Sequence, residues 1–253
     1  MAYETIQFET VEKGIGVLTL NRPQNYNAVN FAMMAELEQF WMERLYDLET
    51  VVIILRGSGE KGFCAGLDVK EYQSAFTSMT AADFYRFQGR LGRINLHMRR
   101  CPQPIICGVH GAAAGQGFSF ALASDIRVIA PDARFNAAYI NIGLGGADMA
   151  CSYLLPRIIG AGRAYEFMYT GNFMTAEEAM NLGLASRMVP REKLMDTCLE
   201  FARVMMTKNP MGLRLTKEAI NVNIDAGALE NAINIEDRNQ TLLAIEALRN
   251  MKL

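Results

Sequence analysis

The 253-residue sequence predicts an α/β fold that ends in a helical region. The apolar, mostly β-branched runs Val51–Leu55 and Ile105–Val109 are typical of strands buried on both faces. Stretches with helical spacing of apolar residues separate such runs, and this alternation favours an α/β class. From about Arg191 onward the pattern is almost entirely helical. We therefore divide the chain into residues 1–190 and residues 191–253.

The first predicted elements are a hairpin and two long helices. Ile6–Val11 and Ile15–Leu20 predict paired strands. The next helix has apolar residues three or four apart: Met34, Leu37, Trp41, Leu45 and Leu48. After the strand Val51–Leu55, the glycine-rich stretch Gly57–Gly66 leads to a second long helix capped by Thr80. The apolar face of this helix contains Phe84, Phe87, Leu91, Ile94 and Met98.

The second half of the predicted fold uses shorter elements. Pro102 and Pro104 end the long helix before the strand Ile105–Val109. Further elements alternate in type: the helix Phe118–Ala123, the strand Ile126–Ala130, the helix Met149–Ile159 and a helix after Thr175. Thr175 and Glu178 have the spacing of a capping box, which supports the last of these helices.

Composition and charge exclude several classes of function. The net charge of −2 provides no basic field for nucleic acid or an anionic membrane. The N-terminus lacks a signal pattern, and no apolar run approaches the roughly 20 residues that span a bilayer. Five scattered cysteines without CxxC spacing predict reduced thiols in a cytoplasmic protein, with neither disulfides nor a metal site. No histidine is near Cys64 in sequence, so we expect a small buried side chain there rather than a nucleophile.

Two glycine-containing loops, Lys61–Lys70 and Gly111–Ser119, are the candidate functional segments. Their small residues let main-chain N–H groups point at a ligand, and the second loop opens onto a helix N-terminus. Two such loops together can form an oxyanion hole. Neither is a nucleotide motif, because Gly57–Gly62 does not fit GxxxxGK[ST] and Gly115–Gly117 lacks the third glycine of GxGxxG.

Several short motifs, in this order and spacing, resemble the crotonase (enoyl-CoA hydratase/isomerase) superfamily over roughly residues 5–225. The motifs are Asn21-Arg22-Pro23, Asn27-Ala28, Phe63–Lys70, Gly111–Gly117, Ser124-Asp125, Leu154–Arg157, Thr170-Gly171, Ala176–Ala179 and Gly183-Leu184. The resemblance implies a crotonase-like spiral of ββα units over residues 1–190. It also implies a C-terminal helical trimerisation region over residues 191–253, hence a homotrimer or a dimer of trimers.

The resemblance also implies a substrate and a site. The backbone N–H groups of Leu67 and Gln116 match the two oxyanion donors, which hold a thioester carbonyl while an enolate forms. The substrate would be an acyl-CoA thioester, with coenzyme A entering as part of it and no cofactor bound permanently. The positions that match coenzyme A contacts are Lys61, Ala65, Asp68 and Lys70. For the two lysines, plain surface solvation is the alternative.

Two departures from the family pattern bear on the reaction. Ser119 and Tyr139 occupy the positions of the two glutamates that hydratases of the family use. Neither side chain is ionised near pH 7, and each missing acid or base costs on the order of 100- to 10,000-fold in rate. Efficient hydration is therefore not expected. A space-filling role for Ser119 and an aromatic lining of the acyl pocket by Tyr139 are their alternatives.

Asp148 is the remaining candidate carboxylate. It matches a catalytic aspartate of some dienoyl-CoA isomerases and the nucleophile of 4-chlorobenzoyl-CoA dehalogenases, although capping the next helix is its structural alternative. The leading hypothesis is isomerase-type chemistry through Asp148 alone. A CoA-thioester hydrolase, a carbon–carbon cleaving enzyme, a dehalogenase-like enzyme and a non-catalytic acyl-CoA-binding subunit stay open. His97 and His110 are expected to be structural. The given sequence stops at Asn250–Leu253, before the segment that helps close over coenzyme A in relatives, so either this segment is shortened or part of the tail is absent here.

Overall fold

Two sheets organise residues 3–250, the part of the chain that the computed structural model describes. Neighbouring strands of the larger sheet are β1 (Ile6–Glu12), β2 (Ile15–Leu20), β3 (Val52–Gly57), β4 (Ile105–Val109), β6 (Ile126–Ile129) and β9 (Arg187–Met188). The smaller sheet contains β5 (Ala112–Ala114), β7 (Arg134–Asn136) and β8 (Met174–Thr175). β1 and β2 form the predicted antiparallel hairpin, and every later pairing in the larger sheet is parallel.

Ten α-helices lie within the described residues. They are α1 (Phe31–Arg44), α2 (Val69–Ser78), α3 (Ala81–Arg100), α4 (Gln116–Ala123), α5 (Cys151–Ile159), α6 (Ala161–Thr170), α7 (Ala176–Asn181), α8 (Leu194–Met206), α9 (Pro210–Asn223) and α10 (Leu229–Asn250). Thr80 caps α3 as predicted, and Thr175 with Glu178 forms the predicted capping box of α7. The α/β class with a helical C-terminal region is confirmed.

Three helix predictions need correction. α1 ends at Arg44, and Leu48 is 72% exposed rather than part of the apolar face. The cause is Asp47, whose carboxylate accepts hydrogen bonds from the backbone N–H groups of the next residues and so favours a turn over helix. α2 was not predicted. α5 begins at Cys151 rather than Met149, because Met149 and Ala150 have positive φ angles of 46° and 71°.

The central strands of the larger sheet, β2, β3, β4 and β6, are buried on both faces, as the apolar runs predicted. Ile53 and Leu55 of β3 face the main core, whereas Val52 and Ile54 face a second core against α8. This alternation follows from the two-residue period of a strand. The main core also includes the apolar faces of α1, α3 and α4, so the helices that border the candidate loops are held against the sheet.

A buried ionic cluster attaches the C-terminal helices to this core. Lys217 of α9 is only 6% exposed, and its Nζ lies 2.8 Å from an Asp125 carboxylate oxygen and 2.8 Å from the Gln103 carbonyl oxygen. Arg99 of α3 pairs with the same Asp125 at 2.9 Å. Asp125 therefore links α3 and α9, which supports the expected structural role of this residue.

The division at residue 190 stays a prediction, and residues 1, 2 and 251–253 lie outside the described part. For residues 3–250, no helix is both long enough and apolar enough to cross a membrane.

Candidate active site

The two candidate loops lie side by side. The Cys64 N–H donates to the Ala112 carbonyl at 3.0 Å, and the Ala114 N–H donates to the Cys64 carbonyl at 3.0 Å. These bonds form a short parallel bridge between Cys64 and Ala113. The first loop therefore adds to the edge of β5, which ends at the turn into α4. Two segments far apart in sequence thus present their backbones to one place.

Glycine permits this close approach. Gly66 has a φ of 94°, and a Cβ placed there would lie 2.9 Å from the Ala114 carbonyl oxygen. A Cβ on Gly117 would lie 2.2 Å from the Cys64 carbonyl oxygen, well inside van der Waals contact. Any larger residue at either position would push the loops apart. The glycine spacing in the sequence is thus a packing requirement of the site.

Two backbone donors face no acceptor where the loops meet. On either side of Leu67, the Val29 N–H donates to the Gly66 carbonyl and the Asp68 N–H donates to the Val29 carbonyl. The Leu67 N–H between them has no partner within residues 3–250. Gln116 is the first residue of α4, and its N–H likewise has no acceptor in the described chain. Such orphan donors are ordinary at a helix start but rare when buried, and Gln116 is 0% exposed. The pair suits an anionic oxygen, which the α4 dipole would also stabilise.

The four positions expected to contact coenzyme A fall into two groups. Lys61, Ala65 and Lys70 are exposed, with the Lys61 ammonium 4.8 Å from the centre of the Tyr26 ring. Asp68 is buried, caps α2 and pairs with Arg22 at 2.9 Å. Its carboxylate therefore anchors the loop, whereas the other three lie on the loop's outer side, where a ligand has access.

Ser119 and Tyr139 form a buried hydrogen-bonded pair with a separation of 2.7 Å. The Tyr139 hydroxyl also donates to the Gly115 carbonyl oxygen at 2.9 Å, so the shared proton of the pair comes from Ser119. That carbonyl belongs to the same peptide group as the Gln116 N–H. Burial raises the pKa of Tyr139 well above 10, so the phenol stays neutral. The two side chains therefore hold the orientation of the Gln116 N–H.

Asp148 lies ahead of α5, directly before Met149 and Ala150, whose backbone is left-handed. Its Oδ1 accepts hydrogen bonds from the Met149 N–H at 2.7 Å and from the Gln88 side chain. Ala150, not Asp148, occupies the N-cap position of α5, so the helix-cap interpretation of Asp148 is wrong. Burial raises the pKa of Asp148, and the two hydrogen bonds oppose that shift. The negative charge of Asp148 is a further, smaller cause of the raised pKa of Tyr139.

Two polar residues of α3 complete the cluster, and the sequence interpretation missed both. Gln88 binds Asp148, while Asn95 donates to the Met149 carbonyl oxygen at 3.2 Å and accepts from the Gln116 side chain at 3.0 Å. Asn95 is 1% exposed. A signal was available, because an amide within the apolar stripe of a helix requires buried partners.

The thiols near the site are inert. Cys64 is fully buried and burial raises its pKa to about 12, so the expectation of a small buried side chain is confirmed. Burial likewise raises the pKa of Cys151 to about 12, with the charge of Asp148 as a further cause. Both remain protonated near neutral pH, and neither supplies a thiolate nucleophile.

Comparisons with known proteins agree with this geometry. The profile of the family described as enoyl-CoA hydratase/isomerase matches residues 10–250. The chain is 39% identical over 236 residues to "probable enoyl-CoA hydratase EchA12" of Mycobacterium tuberculosis, covering 91% of this chain and 82% of that protein. It is 36% identical to the 1,2-epoxyphenylacetyl-CoA isomerase of Escherichia coli, covering 92% and 87%. The enoyl-CoA hydratase structure from Bacillus anthracis superposes with a TM-score of 0.89 at 29% identity, covering 98% and 96%.

Proposed function

This chain is an enzyme of the enoyl-CoA hydratase/isomerase family, and from that premise we propose that it moves a double bond within an acyl-CoA thioester. The family membership confirms the crotonase-like fold class. The observation on which the proposal rests is Asp148, a partly buried carboxylate of raised pKa held by Gln88, together with the neutral, mutually bonded Ser119 and Tyr139 at the positions of the hydratase glutamates. A relative named as an isomerase adds support.

The unpaired Leu67 and Gln116 N–H groups would receive the thioester oxygen. When a proton leaves the carbon next to the thioester, negative charge moves onto this oxygen. Two fixed donors then stabilise the charge, and each is typically worth about 3–4 kcal/mol in such sites. No solvent reorganisation is needed, because the backbone bonds of the first loop to Val29 and the start of α4 already hold the donors in place.

Asp148 would transfer the proton. Its ionised carboxylate removes a proton from the α-carbon, and the electron pair moves into the thioester enolate. The protonated Asp148 then returns the proton to the γ-carbon, and the double bond shifts by one position without net gain or loss of atoms. A raised pKa suits this cycle, because a stronger base accepts the first proton more readily.

Hydration would need a second group to position and activate water. Ser119 and Tyr139 occupy the positions where hydratases of the family have glutamates, and both hydroxyls are already hydrogen-bonded inside the protein. We therefore assign them to support of the Gln116 peptide instead of to acid–base transfer. Isomerisation needs only one carboxylate and for this reason fits the cluster better.

Coenzyme A would lie along the outer side of the first loop. Lys61 and Lys70 supply positive charge there, and Ala65 offers a small exposed surface against which an adenine ring can pack. Asp68 contributes indirectly by holding the loop through Arg22. We propose no permanently bound cofactor.

We further propose a trimer or a dimer of trimers built through residues 191–253. Support comes from apolar side chains of the last helices that remain exposed in a single chain. They are Ile220, Ile224, Leu229, Ile233, Leu242, Ile245 and Leu248. Five free cysteines, all buried, support a cytoplasmic location.

A panel of CoA thioesters tests the proposed reaction. The panel contains α,β-enoyl, β,γ-enoyl, dienoyl, β-keto and haloaryl thioesters, followed by chromatography and mass spectrometry. Isomerisation predicts a product of unchanged mass with a different retention time. Gain of one water, release of free coenzyme A, or loss of halide would each contradict it. Binding without conversion of any member would favour a non-catalytic subunit.

A further inference from the structure

The Asp148 carboxylate is held on one side only. Its Oδ1 accepts both the Gln88 side-chain amide and the Met149 N–H, whereas Oδ2 has no partner among residues 3–250. The Met149 bond comes from the adjacent residue. Gln88 is thus the restraint that reaches Asp148 from another element, 60 residues earlier in the chain.

We propose that Gln88 is a positioning residue, which fixes Oδ1 of Asp148 so that Oδ2 is the oxygen that exchanges a proton with the substrate. This inference rests on the proposed function of Asp148. A carboxylate on a short side chain can rotate about its last bond, and two donors on one oxygen restrict that rotation. The free oxygen then keeps one direction through removal and return of the proton.

The position of Gln88 on α3 makes the restraint rigid. Gln88 and Asn95 are seven residues apart, which places them on the same side of the helix two turns apart. Asn95 binds the Met149 carbonyl oxygen and the Gln116 side chain. One helix therefore fixes both the carboxylate and the residue that supplies an oxyanion donor. α3 is itself anchored in the main core by Phe87 and Leu91.

The charges around Asp148 leave Gln88 with a measurable effect. Two titratable groups interact electrostatically with Asp148: the Tyr139 phenol, ahead of α5, and the Cys151 thiol within α5. Both are neutral near pH 7, and no lysine or arginine pairs with Asp148 in the described part of the chain. The Gln88 amide opposes the effect of burial on the pKa of Asp148. Loss of the amide should therefore raise this pKa.

The test compares the pH dependence of kcat/KM for Gln88→Met, Gln88→Glu and Gln88→Lys with wild type, using the thioester that the wild-type enzyme isomerises. Methionine keeps the length of the side chain without the donor, glutamate adds a like charge, and lysine keeps a donor with positive charge. The acidic limb should move to higher pH in the methionine variant, further in the glutamate variant, and to lower pH in the lysine variant. For methionine, kcat should fall about 10- to 100-fold with little change in KM.

A matched control is Gln39→Met. Gln39 donates to the Glu43 carboxylate at 2.8 Å on the surface of α1, so its loss should leave the pH profile unchanged. The inference would be overturned if the acidic limbs of the three Gln88 variants did not shift in the predicted order. It would also be overturned if Gln88→Met had the same pH profile and the same kcat as wild type. If Asp148→Asn abolishes turnover in the same assay, a negative result with the Gln88 variants refutes only the role of Gln88, and the proposed function stands. If Asp148→Asn retains turnover, the proposed function fails as well.

Discussion

Replacement of Gln116 by proline removes one donor of the candidate oxyanion hole, the backbone N–H at the start of α4, and puts the ring Cδ in place of the hydrogen. Proline is well tolerated at the first position of a helix, where its missing N–H would be unpaired in any case. The preceding Gly115 has φ 52° and ψ −120°, the mirror image of the extended conformation that a residue before proline prefers. Glycine is achiral and adopts this mirror conformation without strain. The backbone should therefore accept the substitution.

The expected loss follows from the number of donors. Leu67 and Gln116 supply two, so Gln116→Pro leaves one. Removal of one donor from an oxyanion hole costs about 3–4 kcal/mol, or roughly 100- to 1,000-fold in kcat. Steady-state kinetics with the isomerised thioester measures this loss. Substrate affinity should fall as well, because the proline Cδ occupies the direction in which the N–H pointed.

The side chain of Gln116 must be separated from its N–H. Gln116→Ala also loses the 3.0 Å hydrogen bond to Asn95 but keeps the backbone donor. We expect the alanine variant to be less stable than wild type, with a kcat well above that of the proline variant. Equal kcat values for two folded variants would refute the assignment of this N–H to the oxyanion hole.

Two further predictions concern the groups around the hole. Tyr139→Phe leaves the buried Ser119 hydroxyl without its partner and should lower the free energy of unfolding by about 1–3 kcal/mol, as measured by urea denaturation. Adding Ser119→Ala should recover part of this loss, because no unpaired hydroxyl then remains. Strictly additive effects of the two substitutions would contradict the pairing. Asp148→Asn should raise Tm at pH 7. The folded-state pKa of Asp148 is raised, so its contribution to stability is complete below the unfolded-state pKa and is lost as pH rises through the folded-state pKa. Calorimetry should show that the increase in Tm caused by Asp148→Asn becomes smaller toward acidic pH. An increase that becomes larger at acidic pH would contradict a raised pKa of Asp148.

Much of the fold was predictable because its strands are buried on both faces. The apolar runs of β2 and β4 match the observed bounds, and Thr80 marked the start of α3. The strands β5, β7, β8 and β9 have two or three residues each, too few for a period to appear in the sequence. Their formation depends on pairing with distant segments. α2 was missed for a related reason, since its surface is mostly polar and its start depends on the Asp68 cap.

The candidate site divides in the same way. Glycine spacing predicted the two loops, because glycine records where backbones must approach closely. The hydrogen bonds of Gln88 to Asp148 and of Asn95 to the Met149 carbonyl join residues more than 50 positions apart. No local pattern encodes such pairings. The same holds for the hydrogen bond of Tyr139 to the Gly115 carbonyl. From the sequence, Tyr139 is only a missing glutamate, whereas in the structure it supports the Gln116 peptide.

The most direct test of the central claim is exchange of substrate protons with solvent. Wild type and Asp148→Asn are incubated in D₂O with the isomerised thioester, and deuterium at the α- and γ-carbons is followed by NMR. Binding of the same thioester is measured separately by calorimetry. Asp148 is only partly buried, so its proton exchanges with solvent in a fraction of turnovers. We therefore predict that wild type incorporates deuterium at these carbons, whereas Asp148→Asn binds with similar affinity and incorporates none. Deuterium incorporation by Asp148→Asn at the wild-type rate would contradict the assignment of Asp148 as the group that transfers the proton.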